Sequence, residues 1–319
     1  MDYILKNFTQ IYEKLNEEQR LKLTTKDAFI KYTEHAANKI FKNIQKHMNE
    51  QLLLEKAIED EFMARLNQKW YKAFAISRTF YYYVKDSSTS HLDYYKNLSK
   101  EEQIENQYLF SAMSLLNGRA LQQYFEIMIL IENGLADGAY ARWRSLYELS
   151  VIATFINDNG EKTAKSFIES EGGRDYYNWA KVSDVFKETN IKKIRFNDIR
   201  KNCNLNDDIR KKQYQLSCDI IHPTWQATID RLGGMGKEDQ ILVGKSDYGI
   251  TIPACHSSIS LGIVNNNFLS VYATGDSIVD SSVILKLTNM VKERYYKTHD
   301  EVFPDDIPLW NKHDDNKEN

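Results

Sequence analysis

Residues that end helices are scarce in this chain: four Pro and thirteen Gly in 319 residues. Proline and glycine break helices and make tight turns, so a chain poor in both is built from few, long elements. Apolar side chains recur at three- and four-residue intervals, as at Ile4, Phe8, Ile11 and Leu15, which is the spacing of one helical face. The expected fold class is all-α: a multi-helix bundle with an N-terminal helical segment and at most one short β-hairpin. That hairpin would fall at 241–252, which is β-branched and interrupted by Gly244 and Gly249.

The pattern along the chain predicts where the helices run. One covers residues 3–22. Thr24 with Asp27 three residues on reads as a restart, opening a helix to about residue 47, and another covers about 52–84. The polar run 86–90 reads as a domain boundary. Ser99 with Glu102 forms a capping box; the helix it opens passes through Leu109, Met113, Leu116 and Ile127 and ends at Gly134. Asp137 would cap the next, 138–156, which ends at 157–160. So short a turn predicts antiparallel neighbours, the core of the second half. Further helices are expected at about 161–170, 175–188, 207–221, after Pro223, 257–273 and 277–296. Three parts follow: 1–90, an N-terminal helical segment; 91–299, a helical bundle with the candidate site; and 300–319, a tail with seven acids and two lysines, expected to be flexible. No internal repeat and no sustained heptad stands out.

Several function classes are excluded. Three cysteines without framework spacing argue against a disulfide-stapled secreted protein. The N-terminus does not read as a signal peptide, and the apolar runs fall short of the ~20 residues that span a bilayer. The expectation is a cytoplasmic protein with no membrane association. A net charge of −3 does not advertise nucleic-acid binding, although basic patches can supply it locally. At 233–237 the Gly-Gly-Met-Gly-Lys run lacks a P-loop's first glycine, the position being Arg231, and has Glu238 where a hydroxyl is needed. Nucleophile-elbow, zinc-protease, Cys-x-x-Cys and dinucleotide signatures are absent. Cys218 with His222, and Cys255 with His256, lack metal-ligand spacing, so neither metal nor cofactor is expected.

Two basic stretches offer places for RNA. Residues 69–85 interleave aromatics with four basic residues and no acid, a composition that suits stacked single strands. Trp70, Phe74, Ser77 and Tyr81 share one helical face, however, as a core stripe does. Lys192, Lys193, Arg195, Arg200, Lys201, Arg210, Lys211 and Lys212 form the second, either a solvated surface or a source of phosphate contacts.

Two further segments carry the candidate site. In 142–148 (Arg-Trp-Arg-Ser-Leu-Tyr-Glu), Arg144 and Glu148 lie four apart on a face continued by Val151 and Phe155. A charged pair on an apolar face is held by partners, for packing or for chemistry. In 214–223, His222 precedes Pro223, which disfavours helix at the histidine and sets it at a break. An imidazole there titrates near neutrality and can serve as acid, base or structural hydrogen-bonding group.

The Arg-Ser-Leu-Tyr-Glu helix followed some 70 residues later by Leu216, Ser217, His222 and Pro223 resembles a bacterial all-helical family of unknown function found among mobile-element and defence genes. The resemblance covers about residues 100–295 and implies that Arg144, Glu148, Ser217 and His222 act together. A second, weaker resemblance is to the HEPN class of helical ribonucleases, marked by an arginine and a histidine four to six residues apart; Arg294 and His299 fit that spacing. Together these imply a bacterial defence or stress-response protein that cleaves RNA without a metal. His222 or His299 would be the general base, and Arg144 or Arg294 would stabilise phosphate charge. The alternative is a non-catalytic helical binding or assembly protein whose Arg-Glu and His-Pro motifs are structural. Its partner would be another protein or a second copy.

Overall fold

The computed structural model describes residues 12–170, 175–189, 191–206, 208–215, 218 and 244–305. All regular structure among them is helical. The chain divides into two compact units, Met1–Arg65 and Leu66–Asn319.

In the first unit, helix α1 (Glu17–Leu21) is capped by Asn16, whose side chain accepts from the Gln19 N–H while Gln19 reaches back to the Asn16 N–H. A 3-10 turn, Lys22–Thr24, leads to helix α2, Lys26–Lys96. Thr25, not Thr24, opens α2, its hydroxyl accepting from the Ala28 N–H at 3.3 Å. Helix α2 is unbroken for 71 residues. No Pro or Gly occurs within it, so nothing in its backbone forces an end. The polar run expected to break the chain at 86–90 is helical. Its hydroxyls fold back onto the preceding turn: Ser87 and Ser88 donate to the Val84 carbonyl and Thr89 to that of Lys85. This is how Ser and Thr satisfy themselves inside a helix.

The second unit is a bundle. Helix α3 (Lys100–Glu105) is opened by the Ser99–Glu102 capping box, as expected. Helices α4 (Gln107–Glu132) and α5 (Ala136–Ile168) follow, then α6 (Phe196–Lys201), α7 (Thr251–Ser270) and α8 (Gly275–Val302). Gly134 ends α4 with φ +69°, and the Leu135 N–H donates to the Leu130 carbonyl at 2.8 Å. That left-handed C-terminal turn suits glycine, and it makes α4 and α5 packed neighbours. Leu135, not Asp137, occupies the N-cap of α5. Helix α5 outruns its expected end because the chain only kinks at Gly160, φ +69°. Just past the kink, the Glu161 carboxylate accepts from the Tyr108 and Leu109 N–H groups at the start of α4.

Helix α7 packs against α4, α5 and α8. Surrounded on several sides, it buries apolar and small residues alike, from Cys255 and Ser257 to Leu261, Gly262 and Phe268. Gly262 is required by close approach: a Cβ there would meet the Thr288 hydroxyl of α8 at 3.2 Å. One polar layer crosses this core. Ser88 accepts from the side-chain amides of Asn117 and Asn265, each at 2.8 Å, and donates to Val84; Asn265 also donates to Asn117. All three side chains are buried and join α2, α4 and α7.

Other expectations are corrected. Residues 244–250 hold turns and bends, and 251–252 already belong to α7, so the described part of 241–252 contains no strand. Residues 175–189 are irregular around a 3-10 turn, Asn178–Val182, rather than a regular helix. Helix α8 continues to Val302, past the expected start of the tail; residues 306–319 lie outside the described residues. Within 69–85, Trp70, Phe74 and Ser77 of the core stripe are buried and Tyr81 is half-buried. No described helix is long and apolar enough to cross a membrane.

Candidate functional site

Helix α5 displays Arg144, Tyr147 and Glu148 on one face, because residues three and four apart stack along a helix. The Arg144 Nε donates to Glu148 Oε1 at 3.4 Å, a long contact, with both side chains half-buried. Neighbouring Arg142 turns to α4 instead and pairs with Glu126, while Trp143 is fully buried. The sequential arginines thus do different work: Arg142 ties two helices together, and Arg144 faces the site.

Opposite α5 stand α6 and the π-helical turn Asp208–Gln213 leading to Tyr214. The Arg200 guanidinium of α6 lies over the Tyr214 ring, 4.3 Å from its centroid, and donates to the Asn197 side chain. Tyr214 is also 6.2 Å from the Tyr147 ring and 6.0 Å from Phe196, which in turn is 6.2 Å from Tyr177. A wall of four aromatic rings from four parts of the chain therefore carries two arginines and one glutamate.

The electrostatics show that these groups sense one another. Burial holds the Tyr214 hydroxyl above its ordinary pKa, helped by its hydrogen bond with Cys218, while the positive charges of Arg200 and Arg144 oppose the shift. Burial also raises Tyr147, again opposed by Arg200. Tyr177 is raised by burial and by the negative charge of Glu148. The tyrosines therefore stay protonated donors at neutral pH. Such a surface suits a planar anion: guanidinium groups for phosphate or carboxylate, rings for stacking, and Glu148 as acceptor.

Of the residues singled out in the sequence, Arg144 and Glu148 are brought together. Ser217 and His222 lie outside the described residues, although Tyr214 and Cys218 flank Ser217 in the chain. Arg294 and His299 face different surroundings, since five residues turn a helix by about 140° beyond a full turn. His299 is buried, its Nδ1 3.4 Å from the Thr251 hydroxyl and its ring against Phe303. Arg294 is half-buried and lines an open cleft of about 430 Å³ between α2 and α8 with Tyr71, Lys72 and Lys297. Cys255 is also interior and His256 half-buried: burial pushes the Cys255 thiol up and the His256 imidazole down to about 4, and the His256 ring packs on Trp143. Among the described residues, no cluster of three or more His, Cys, Asp or Glu could hold a metal.

Sequence reasoning missed the aromatic wall. Arg200 was visible only as one charge in a basic stretch. Tyr147, Tyr177 and Phe196 carried no signal, because aromatic residues at helical spacing usually mean core.

The fold and site define a helical-bundle protein with an arginine–aromatic surface. Residues 110–241, the stretch holding Arg144, Glu148, Arg200 and Tyr214, match the model of a family of unknown function, DUF5677. No curated protein and no solved structure matches the chain.

Proposed function

We propose that this chain is a bacterial defence or stress-response protein whose arginine–aromatic surface binds RNA, and that His222 makes the site a metal-independent ribonuclease of HEPN-like mechanism. The observation that carries the reading is the convergence of Arg144 and Arg200 on Tyr214, eight residues before His222 in the chain. Arginines supply phosphate contacts, and the rings of Tyr214 and Phe196 supply sequence-tolerant stacking. In the proposed reaction His222 takes the proton of a ribose 2′-hydroxyl. The freed oxygen attacks the adjacent phosphorus, the bond from phosphorus to the 5′-oxygen breaks, and that oxygen takes a proton from solvent water and leaves as a hydroxyl, while the imidazolium of His222 returns its proton to solvent. The product end is a cyclic phosphate. Arg144 and Arg200 stabilise the charge that develops on the phosphoryl oxygens.

A second reading, a non-catalytic binding or assembly protein, is favoured by the pairing of Arg144 with a glutamate of its own helix. One experiment separates the two. Purified protein is incubated with a varied RNA pool with and without a chelator, and wild type and His222→Ala are expressed in bacteria. Cleavage that survives chelation, with slowed growth relieved by His222→Ala, supports the ribonuclease. An intact RNA pool from folded protein, with both forms equal in the cell, would leave the binding reading.

A further inference from the structure

The unbroken course of α2 gives its first half a feature that segmented helices would not have. Ile30, Ala37, Phe41, Ile44, Met48, Ile58 and Phe62 fall on one stripe at the three-, four- and seven-residue steps of a coiled-coil seam, interrupted by Glu34, Gln51 and Glu55 and so short of a sustained heptad. Ile30, Phe41, Ile44, Met48 and Ile58 are between 36% and 57% exposed, and Leu52 beside them is more open still. A helical face this apolar and this exposed marks an interaction surface.

Charge along the same stretch selects the occupant. From residue 26 to 46 five lysines (26, 31, 39, 42 and 46) stand against Asp27 and Glu34. From 50 to 65 five acids (Glu50, Glu55, Glu59, Asp60 and Glu61) stand against Lys56 and Arg65. The helix is basic at one end and acidic at the other, with Met48 at the change of sign. A second copy running the opposite way sets each basic half against an acidic half, whereas a parallel copy sets like against like.

We infer that residues 26–65 are a self-association surface, and that two copies of this chain pair antiparallel through the Ile30–Phe62 stripe about a two-fold axis near Met48. The proposal is independent of the RNA-binding reading, because none of its residues belongs to the arginine–aromatic site.

The test uses the full chain. Sedimentation and light scattering across micromolar concentrations should give a dimer. Met48→Glu combined with Ile44→Glu should weaken it at least about a hundredfold in dissociation constant, because both copies then bury carboxylates at the centre. Both positions are exposed, so helical content should stay unchanged by circular dichroism. Orientation is read by oxidation: Met48→Cys should cross-link to its own copy. Ile30→Cys should not, being about 27 Å along the helix from Met48 and twice that from its equivalent. A monomer at all concentrations, or a dimer indifferent to the double glutamate variant, overturns the proposal. Self-cross-linking by Ile30→Cys overturns the antiparallel arrangement.

Discussion

The guanidinium of Arg200 rests 4.3 Å from the centre of the Tyr214 ring, joining the short helix α6 to the segment that leads toward His222. Arg200→Ala removes both the charge over that ring and its stacking partner. RNA affinity is expected to fall by about 1–2 kcal/mol, and the salt dependence of binding to shallow, as a lost phosphate contact requires. Arg200→Lys should recover part of the charge effect but not the planar stacking. Fluorescence anisotropy with a labelled single strand at several salt concentrations checks both, and an unaltered affinity and slope for Arg200→Ala would remove it from the site.

Arg144 and Glu148 are held on one helix at 3.4 Å. As a half-exposed pair on a single helix they contribute only about 0.3–0.5 kcal/mol to stability. Arg144→Gln should therefore leave the melting temperature within a degree or two while weakening RNA binding. A variant that melts well below wild type yet binds RNA normally while folded would assign the pair to packing instead.

The buried Ser88 layer makes the opposite prediction. Ser88→Ala leaves the Asn117 and Asn265 amides without their shared acceptor inside the core. Unfolding in urea should show a loss of about 1–3 kcal/mol, with RNA binding by the folded fraction unchanged.

His299 is interior and faces Thr251, so His299→Ala is expected to cost about 1–3 kcal/mol in stability. At a temperature where the variant is folded, RNA cleavage should match wild type, whereas His222→Ala should abolish it. Loss of cleavage in folded His299→Ala with retention in His222→Ala would transfer the base to α8.

Acid should destabilise the protein through the imidazoles of His91, which is buried, and His256, which is half-buried. Burial lowers His256 to about 4 and also lowers His91, which bonds the Val271 carbonyl. A histidine depressed in the folded state is neutral there while its unfolded counterpart, near 6.5, takes up a proton as pH falls. The unfolded chain then binds more protons, so stability is full above pH 6.5 and declines toward pH 4. His256→Gln should flatten that decline by about 1–3 kcal/mol across the window, measured by urea unfolding at fixed pH steps.

Much of the architecture was legible from residue order alone. Scarce Pro and Gly announced long helices, the Ser99–Glu102 pair announced a helix start, and Gly134 announced the α4–α5 turn. These signals are local: they act over one helical turn, so sequence determines them without reference to the rest of the molecule. The continuity of α2 was not legible, because residues 86–90 carry the composition of a loop; only packing against Asn117 and Asn265 makes the Ser88 hydroxyl a core group. The same holds for the site. Spacing put Arg144 beside Glu148, since both stand on one helix. Bringing Arg200, Phe196 and Tyr214 to that face required the chain to return over some fifty to seventy residues. Such long-range contacts are chosen by which surfaces bury together, and no local pattern encodes them.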